Sequence, residues 1–133
     1  MAMADVDAAG IIYYATPLRW AERVTSAWLA EIGLSVRRIL AEGAGFPAVR
    51  TEVLYRRPLA VDDVVQSSLS MERVGRTSFT ALVQFRREGD GGDVAVEVRT
   101  VQAWVRIGDD ARGRTLVVEE LPAALRAAAA PEA

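Results

Sequence analysis

The stretch Asp5-Val6-Asp7-Ala8-Ala9-Gly10-Ile11-Ile12-Tyr13-Tyr14 puts two carboxylates, a glycine and two phenols immediately ahead of a helix start at Thr16-Pro17. The first turn of a helix presents backbone N–H groups without intrahelical partners and a partial positive charge, which suits an oxyanion developing on a carbonyl. A carboxylate held beside that position can attack the carbonyl or activate water against it. The same residues also read as two solvated loop acids and aromatics of the core, and residue type alone does not separate these readings.

What the chain lacks narrows the chemistry further. It has 0 Cys and 0 His, and all 16 of its basic residues are Arg. Thiol nucleophiles, disulfides, Cys- or His-ligated metals, Ser-His-Asp triads and lysine Schiff bases are therefore excluded. Acid–base work falls to the 18 carboxylates, with Tyr and backbone dipoles as helpers. Neither a metal nor a redox cofactor is implied. A net charge of -2 provides no broad basic surface, so nucleic acid is not an expected partner. No apolar run reaches the ~18 residues needed to span a bilayer, and the amino-terminal residues lack a secretory signal, so a cytoplasmic location is expected.

The elements that must position these groups fit one domain of 133 residues. Thr16 reads as an N-cap, Pro17 as the first helical residue and Gly33 as the stop of a helix of about four turns. Ala21, Val24, Trp28 and Ile32 follow helical spacing, and Trp20, Ala27 and Leu29 widen the stripe, which predicts a helix packed on several sides. A short helix over 35–42 ends at Gly43-Ala44-Gly45.

The period then changes to two. Val49, Thr51, Val53 and Tyr55 predict a strand, and strands over 64–74 and 77–87 are joined by the Gly75-Arg76 corner. A long strand is predicted over 94–107. Its apolar phase slips between Val98 and Val101, which reads as a bulge near Arg99-Thr100 or as burial on both faces. A last strand over 115–118, a helix over 121–130 and a frayed tail over 131–133 complete an α+β plan, one helix against one curved antiparallel sheet. Free strand edges in such a plan predict homo-oligomers.

With these motifs the chain resembles the 4-hydroxybenzoyl-CoA thioesterase branch of the hotdog-fold family. The resemblance rests on Asp5-x-Asp7-x-x-Gly10-Ile11-Ile12-Tyr13-Tyr14, on Leu18-Arg19-Trp20-x-Glu22, and on Gly75-Arg76-Thr77-Ser78-Phe79, and runs over 5–107. It implies a long helix wrapped by an antiparallel sheet, with active sites at a subunit interface of a homodimer or homotetramer, and hydrolysis of an acyl-CoA, an aromatic acyl group included. It implies Asp7 as the catalytic carboxylate, nucleophile or general base. Tyr14 then supplies the N–H that polarises the thioester carbonyl, and Gly10 the turn between them. Tyr13, Trp20, Glu22 and Phe46 fall at the acyl pocket, and Arg76, Thr77 and Ser78 at the nucleotide end of coenzyme A. Trp20 also reads as ordinary core, Glu22 as a solvated helix charge, and Arg56 and Arg57 as solvated strand-end charges.

Only residues 1–4 precede the motif, so the family's first strand is expected to be truncated. Pro17 stands where relatives commonly carry tyrosine. Dehydratases and hydratases of this fold need a histidine and are excluded. An acyl-carrier-protein thioesterase and a non-catalytic acyl-CoA binding protein are the competing readings.

Overall fold

The computed structural model describes residues 1–129. After a 3-10 turn at Met3–Asp5 come α1 (Thr16–Glu31), α2 (Val36–Ala41), β1 (Ala44–Gly45), β2 (Ala48–Tyr55), β3 (Val65–Val74), β4 (Ser78–Arg87), β5 (Val94–Ala103), β6 (Val105–Asp110), β7 (Gly113–Val118) and α3 (Ala123–Ala129). The strands form an antiparallel sheet in the order β2-β5-β4-β3 and a smaller one in the order β1-β6-β7. One long helix lies against the curved sheet, the α+β hotdog arrangement that the resemblance implies. Residues 1–4 form no strand. The end of the predicted terminal helix at Ala130 and the tail over 131–133 lie outside the described residues. No helix among the described residues is long and apolar enough to cross a membrane.

Alternation of side chains across the sheet explains where the core sits. Phe79, Ala81, Val83 and Phe85 of β4 all point inward and are buried, as the period-two reading of that strand requires. One part of the core gathers Phe79 and Ala81 with Leu29, Leu34, Ile39, Trp104, Leu121 and Leu125. The other gathers Val83 and Phe85 with Val96, Val98, Ile12, Leu59 and Ala21. Helix α1 bridges the two through Leu29 and Ala21, while Ala27 is exposed, so one broad face of the helix is packed rather than its whole circumference. The outer sheet face is polar and internally paired: Arg99 donates to both carboxylate oxygens of Glu72 at 2.5 and 2.7 Å, and Arg56 lies 3.3 Å from Glu97. Arg99 holds the Glu72 carboxyl below the usual carboxylate range.

Three local expectations are corrected. Ala15, not Thr16, is the N-cap of α1, because the Thr16 hydroxyl donates instead to the Asp5 carbonyl at 3.1 Å. The strand over 94–107 is two strands, broken at buried Trp104, whose N–H donates to the Thr77 carbonyl at 2.9 Å and whose carbonyl accepts from Glu119 at 3.0 Å. There is no bulge at Arg99-Thr100: both pair in unbroken register with Glu52 and Thr51 on one side and with Leu82 and Ala81 on the other. The apolar phase slips there because Thr100 and Gln102 are polar residues on the inner face, opposite Ala81 and Phe79.

Candidate active site

The loop ahead of α1 is a small closed structure. Antiparallel bridges join Val6 to Ile12 and Ile11 to Ala60. The Asp7 N–H donates to the Ile11 carbonyl at 3.0 Å, and the Gly10 N–H donates back to the Asp7 carbonyl at 3.0 Å. That reversal puts Gly10 at φ +77°, in the left-handed region that favours glycine. No heavy atom lies within 4 Å of where a Cβ would stand, so Gly10→Ala costs conformational energy alone. A loss of about 1 kcal/mol in stability is expected, read from a denaturation midpoint at unchanged m value.

The two acids of the loop do different things. Asp5 is structural: one oxygen accepts from the Ala2 N–H at 3.0 Å, the other lies 3.6 Å from Arg19, and its carbonyl accepts from the Tyr13 N–H at 2.8 Å and from Thr16. Asp7 is exposed, and among the described residues the one hydrogen bond to its carboxylate is from the Ala9 N–H to Oδ1 at 2.7 Å. Its other oxygen has no partner among the described residues. Seven residues on, the Tyr14 carbonyl accepts from the Tyr55 hydroxyl, which ties the helix start to the end of β2. The backbone N–H groups of Tyr14 and Ala15 have no partner among the described residues. Tyr14 is 69% exposed, so its N–H lies in an accessible segment. Burial and the nearby Tyr14 phenol push the Tyr55 hydroxyl above the usual phenol range, and Tyr14, as hydrogen-bond partner and neighbouring phenol, does the same for Tyr13. The Tyr55 hydroxyl, protonated, is the donor to the Tyr14 carbonyl.

A cavity of about 470 Å³ opens along the same helix, between α1, α2 and the inner faces of β2 and β5. It begins at Leu18, one turn beyond Tyr14, and follows the helix through Glu22, Thr25 and Ser26 to Leu29. Opposite stand Phe46, Thr51, Thr100 and Gln102. Gln102 Nε2 donates to the Phe46 carbonyl at 3.0 Å and fixes that wall. The loop thus combines an exposed carboxylate with Tyr14 and Ala15 N–H groups unpartnered among the described residues, ahead of a helix whose flank is a mainly apolar cleft with polar side chains set into it. A carboxylate and free N–H groups are the components that nucleophilic or general-base attack on a carbonyl requires.

The sequence profile of the thioesterase-like superfamily matches residues 1–132. The chain belongs to this superfamily. A 1,4-dihydroxy-2-naphthoyl-CoA hydrolase of Thermosynechococcus vestitus is 25% identical over 126 residues, 94% of this chain and 84% of that relative. Among solved structures, a gentisyl-coenzyme A thioesterase superposes with a TM-score of 0.81 at 24% identity, covering 95% of this chain and 94% of the other. An aspartate-to-asparagine mutant of 4-hydroxybenzoyl CoA thioesterase, complexed with 4-hydroxybenzoyl CoA, superposes with a TM-score of 0.81 at 21% identity, covering 95% and 91%.

Within this thioesterase-like chain the site residues expected from the sequence fall into three groups. Asp7, Gly10, Tyr13 and Tyr14 share the loop, and Glu22 and Phe46 line the cleft that begins one turn further on. Trp20 is turned to another flank of α1, edge-on to Phe85 at 5.4 Å between ring centres, beside a second cavity of about 490 Å³ bounded by Arg23, Val24 and Val65. Arg76, Thr77 and Ser78 form the β3–β4 corner and line neither cavity. The Arg76 carbonyl there accepts from Leu121 at 2.8 Å, and its guanidinium lies 3.8 Å from Glu120. Arg56 and Arg57 pair with Glu97 and Asp93. Thr25, Thr51, Thr100 and Gln102 are cleft residues that the sequence reading did not single out. Their signal was present: three polar residues on inward positions of β2 and β5, where an apolar residue would continue the core.

Proposed function

We propose that this chain hydrolyses acyl-CoA thioesters, with Asp7 as nucleophile or general base and the Tyr14 N–H polarising the carbonyl. The observation that carries the reading is an exposed carboxylate, held by one backbone hydrogen bond in the Gly10 turn, directly ahead of a helix start where the Tyr14 and Ala15 N–H groups have no partner among the described residues. The similarity to a 1,4-dihydroxy-2-naphthoyl-CoA hydrolase supports a CoA ester as substrate. The cleft supports an aromatic acyl group that carries hydroxyls, since Glu22, Thr25, Thr51, Thr100 and Gln102 set polar atoms among apolar walls.

The thioester oxygen accepts from Tyr14 N–H, so charge developing on it is met by a fixed dipole. As nucleophile, Asp7 forms an acyl anhydride while the C–S bond breaks, and water then cleaves the anhydride. As general base, it takes a proton from the attacking water and returns it to the departing thiolate. Either route converts thioester and water to acid and thiol. Tyr13 flanks the acyl group, Glu22 and Phe46 line its pocket, Trp20 belongs to the far flank of α1 and takes no part, and Arg76, Thr77 and Ser78 meet the nucleotide end of coenzyme A, Arg76 as phosphate partner.

The working unit is a cytoplasmic homodimer or homotetramer. β2 supports this: it is an edge strand with Val49, Leu54 and Tyr55 exposed, and it walls a cleft that opens outward. Thiol release from aromatic, short-chain and long-chain acyl-CoAs, with a carrier-protein thioester beside them, tests the reading. Release from an aromatic CoA ester is expected. Release from the carrier ester alone makes the chain an acyl-carrier-protein thioesterase, and binding without any release makes it a non-catalytic acyl-CoA binding protein.

A further inference from the structure

The hairpin of β6 and β7 exposes three consecutive apolar residues, Leu116 at 55%, Val117 at 59% and Val118 at 57%. Consecutive strand residues point to opposite faces, so this strand stands clear of the core on both. Among the described residues β7 pairs with β6 alone, and its other edge has no strand beside it. The register fixes what that edge offers. The Glu119 N–H donates to the Trp104 carbonyl at 3.0 Å, and Val118 lies opposite Val105, Val117 opposite Arg106 and Thr115 opposite Gly108. Hydrogen-bonded and non-hydrogen-bonded pairs alternate in an antiparallel ladder, so Thr115, Val117 and Glu119 turn their backbone groups toward β6. Arg114, Leu116 and Val118 turn theirs outward.

We propose that this edge is a self-association surface, on which β7 of a second copy pairs antiparallel about a two-fold axis through Val117. That register sets Leu116 opposite Val118 of the partner subunit, as a hydrogen-bonded pair from the outward-facing set. It also sets Arg114 opposite Glu120 of the partner subunit, twice by symmetry, so opposite charges close both ends of an apolar centre. An axis through Leu116 would instead set Arg114 against an apolar Val118. Within one chain Arg114 lies 3.4 Å from Asp109, and Glu120 lies 3.8 Å from Arg76 and 3.9 Å from Arg126, all exposed pairs of little strength that leave both groups able to pair across the axis. The surface is separate from the β2 edge. Two different isologous contacts on one chain are what a closed tetramer of two-fold dimers uses.

The chain has 0 cysteines, so Val117→Cys introduces a single thiol. On the axis the two Val117 positions form a non-hydrogen-bonded pair with Cα atoms about 4.5 Å apart, within disulfide reach. Thr115→Cys would stand about 13 Å from its own copy, out of reach. Under mild oxidation of the full chain, Val117→Cys is expected to form a covalent dimer at least about tenfold faster than Thr115→Cys. Light scattering of Arg114→Glu should show a lower mass than the unaltered chain, and adding Glu120→Arg should restore it. Cross-linking no faster than in Thr115→Cys, or an unchanged mass in Arg114→Glu, would overturn the proposal.

Discussion

Asparagine in place of Asp7 is expected to lower thioester hydrolysis by about 10² to 10⁴-fold, the contribution of a positioned acid–base group, with no measurable loss of stability. The expectation of an intact fold comes from the loop itself. Asp7 Oδ1 accepts the Ala9 N–H at 2.7 Å, and an asparagine carbonyl oxygen accepts the same bond in the same place. Only the charge and the basic oxygen are lost. Alanine would remove the turn bond as well and mix a structural effect into the rate, so asparagine is the informative change. The measurement is thiol release at saturating acyl-CoA beside a thermal melt of the same sample. A drop confined to kcat at constant melting temperature fits a group acting on the reacting carbonyl. Undiminished turnover would remove Asp7 from the mechanism and leave the unpartnered N–H groups without a chemical partner.

The loop and the sheet core were readable from the sequence because both are governed by short-range rules. The Asp7–Gly10 reversal is a local hydrogen-bonded turn, and the inward row of β4 is simple alternation. The placement of Trp20 was also readable, although the family resemblance led elsewhere. Two residues along a helix turn by about 200°, so Trp20 and Glu22 belong on different flanks, whereas Leu18, Glu22, Thr25 and Leu29 at spacings of three and four share one. The cleft's sheet wall was harder to see. Thr100 and Gln102 interrupt the apolar phase of β5, and an interruption looks alike whether the backbone bulges or the core gives way to a cavity. Only pairing across both neighbouring strands separates the two, and that is long-range information. The break at Trp104 is similar, since it depends on Thr77 and Glu119 from distant segments claiming its backbone groups.

Phe79→Ala is expected to cost about 3–5 kcal/mol of stability, the range for truncating a fully buried aromatic. Phe79 is 1% exposed, and the core around it holds Leu29, Trp104, Leu121 and Leu125 from three separate segments, which cannot all close on the space left. Against a domain stability of about 5–15 kcal/mol the loss is large, and urea midpoints taken at one fixed protein concentration keep self-association from entering the comparison. Phe85→Ala offers the control. It is equally buried and belongs to the other part of the core, edge-on to Trp20 and away from the cleft, so a similar loss of stability is expected. The two should part company in specificity. Phe46 lines the cleft and packs edge-on against Phe79, with ring centres 5.3 Å apart, so removing Phe79 frees that wall to move while Phe85→Ala leaves it seated. Under conditions where both variants remain folded, Phe79→Ala should raise KM for aromatic acyl-CoA and flatten the preference among acyl groups, and Phe85→Ala should change neither. Equal selectivity in the two would mean that the Phe46 wall does not contact the acyl group.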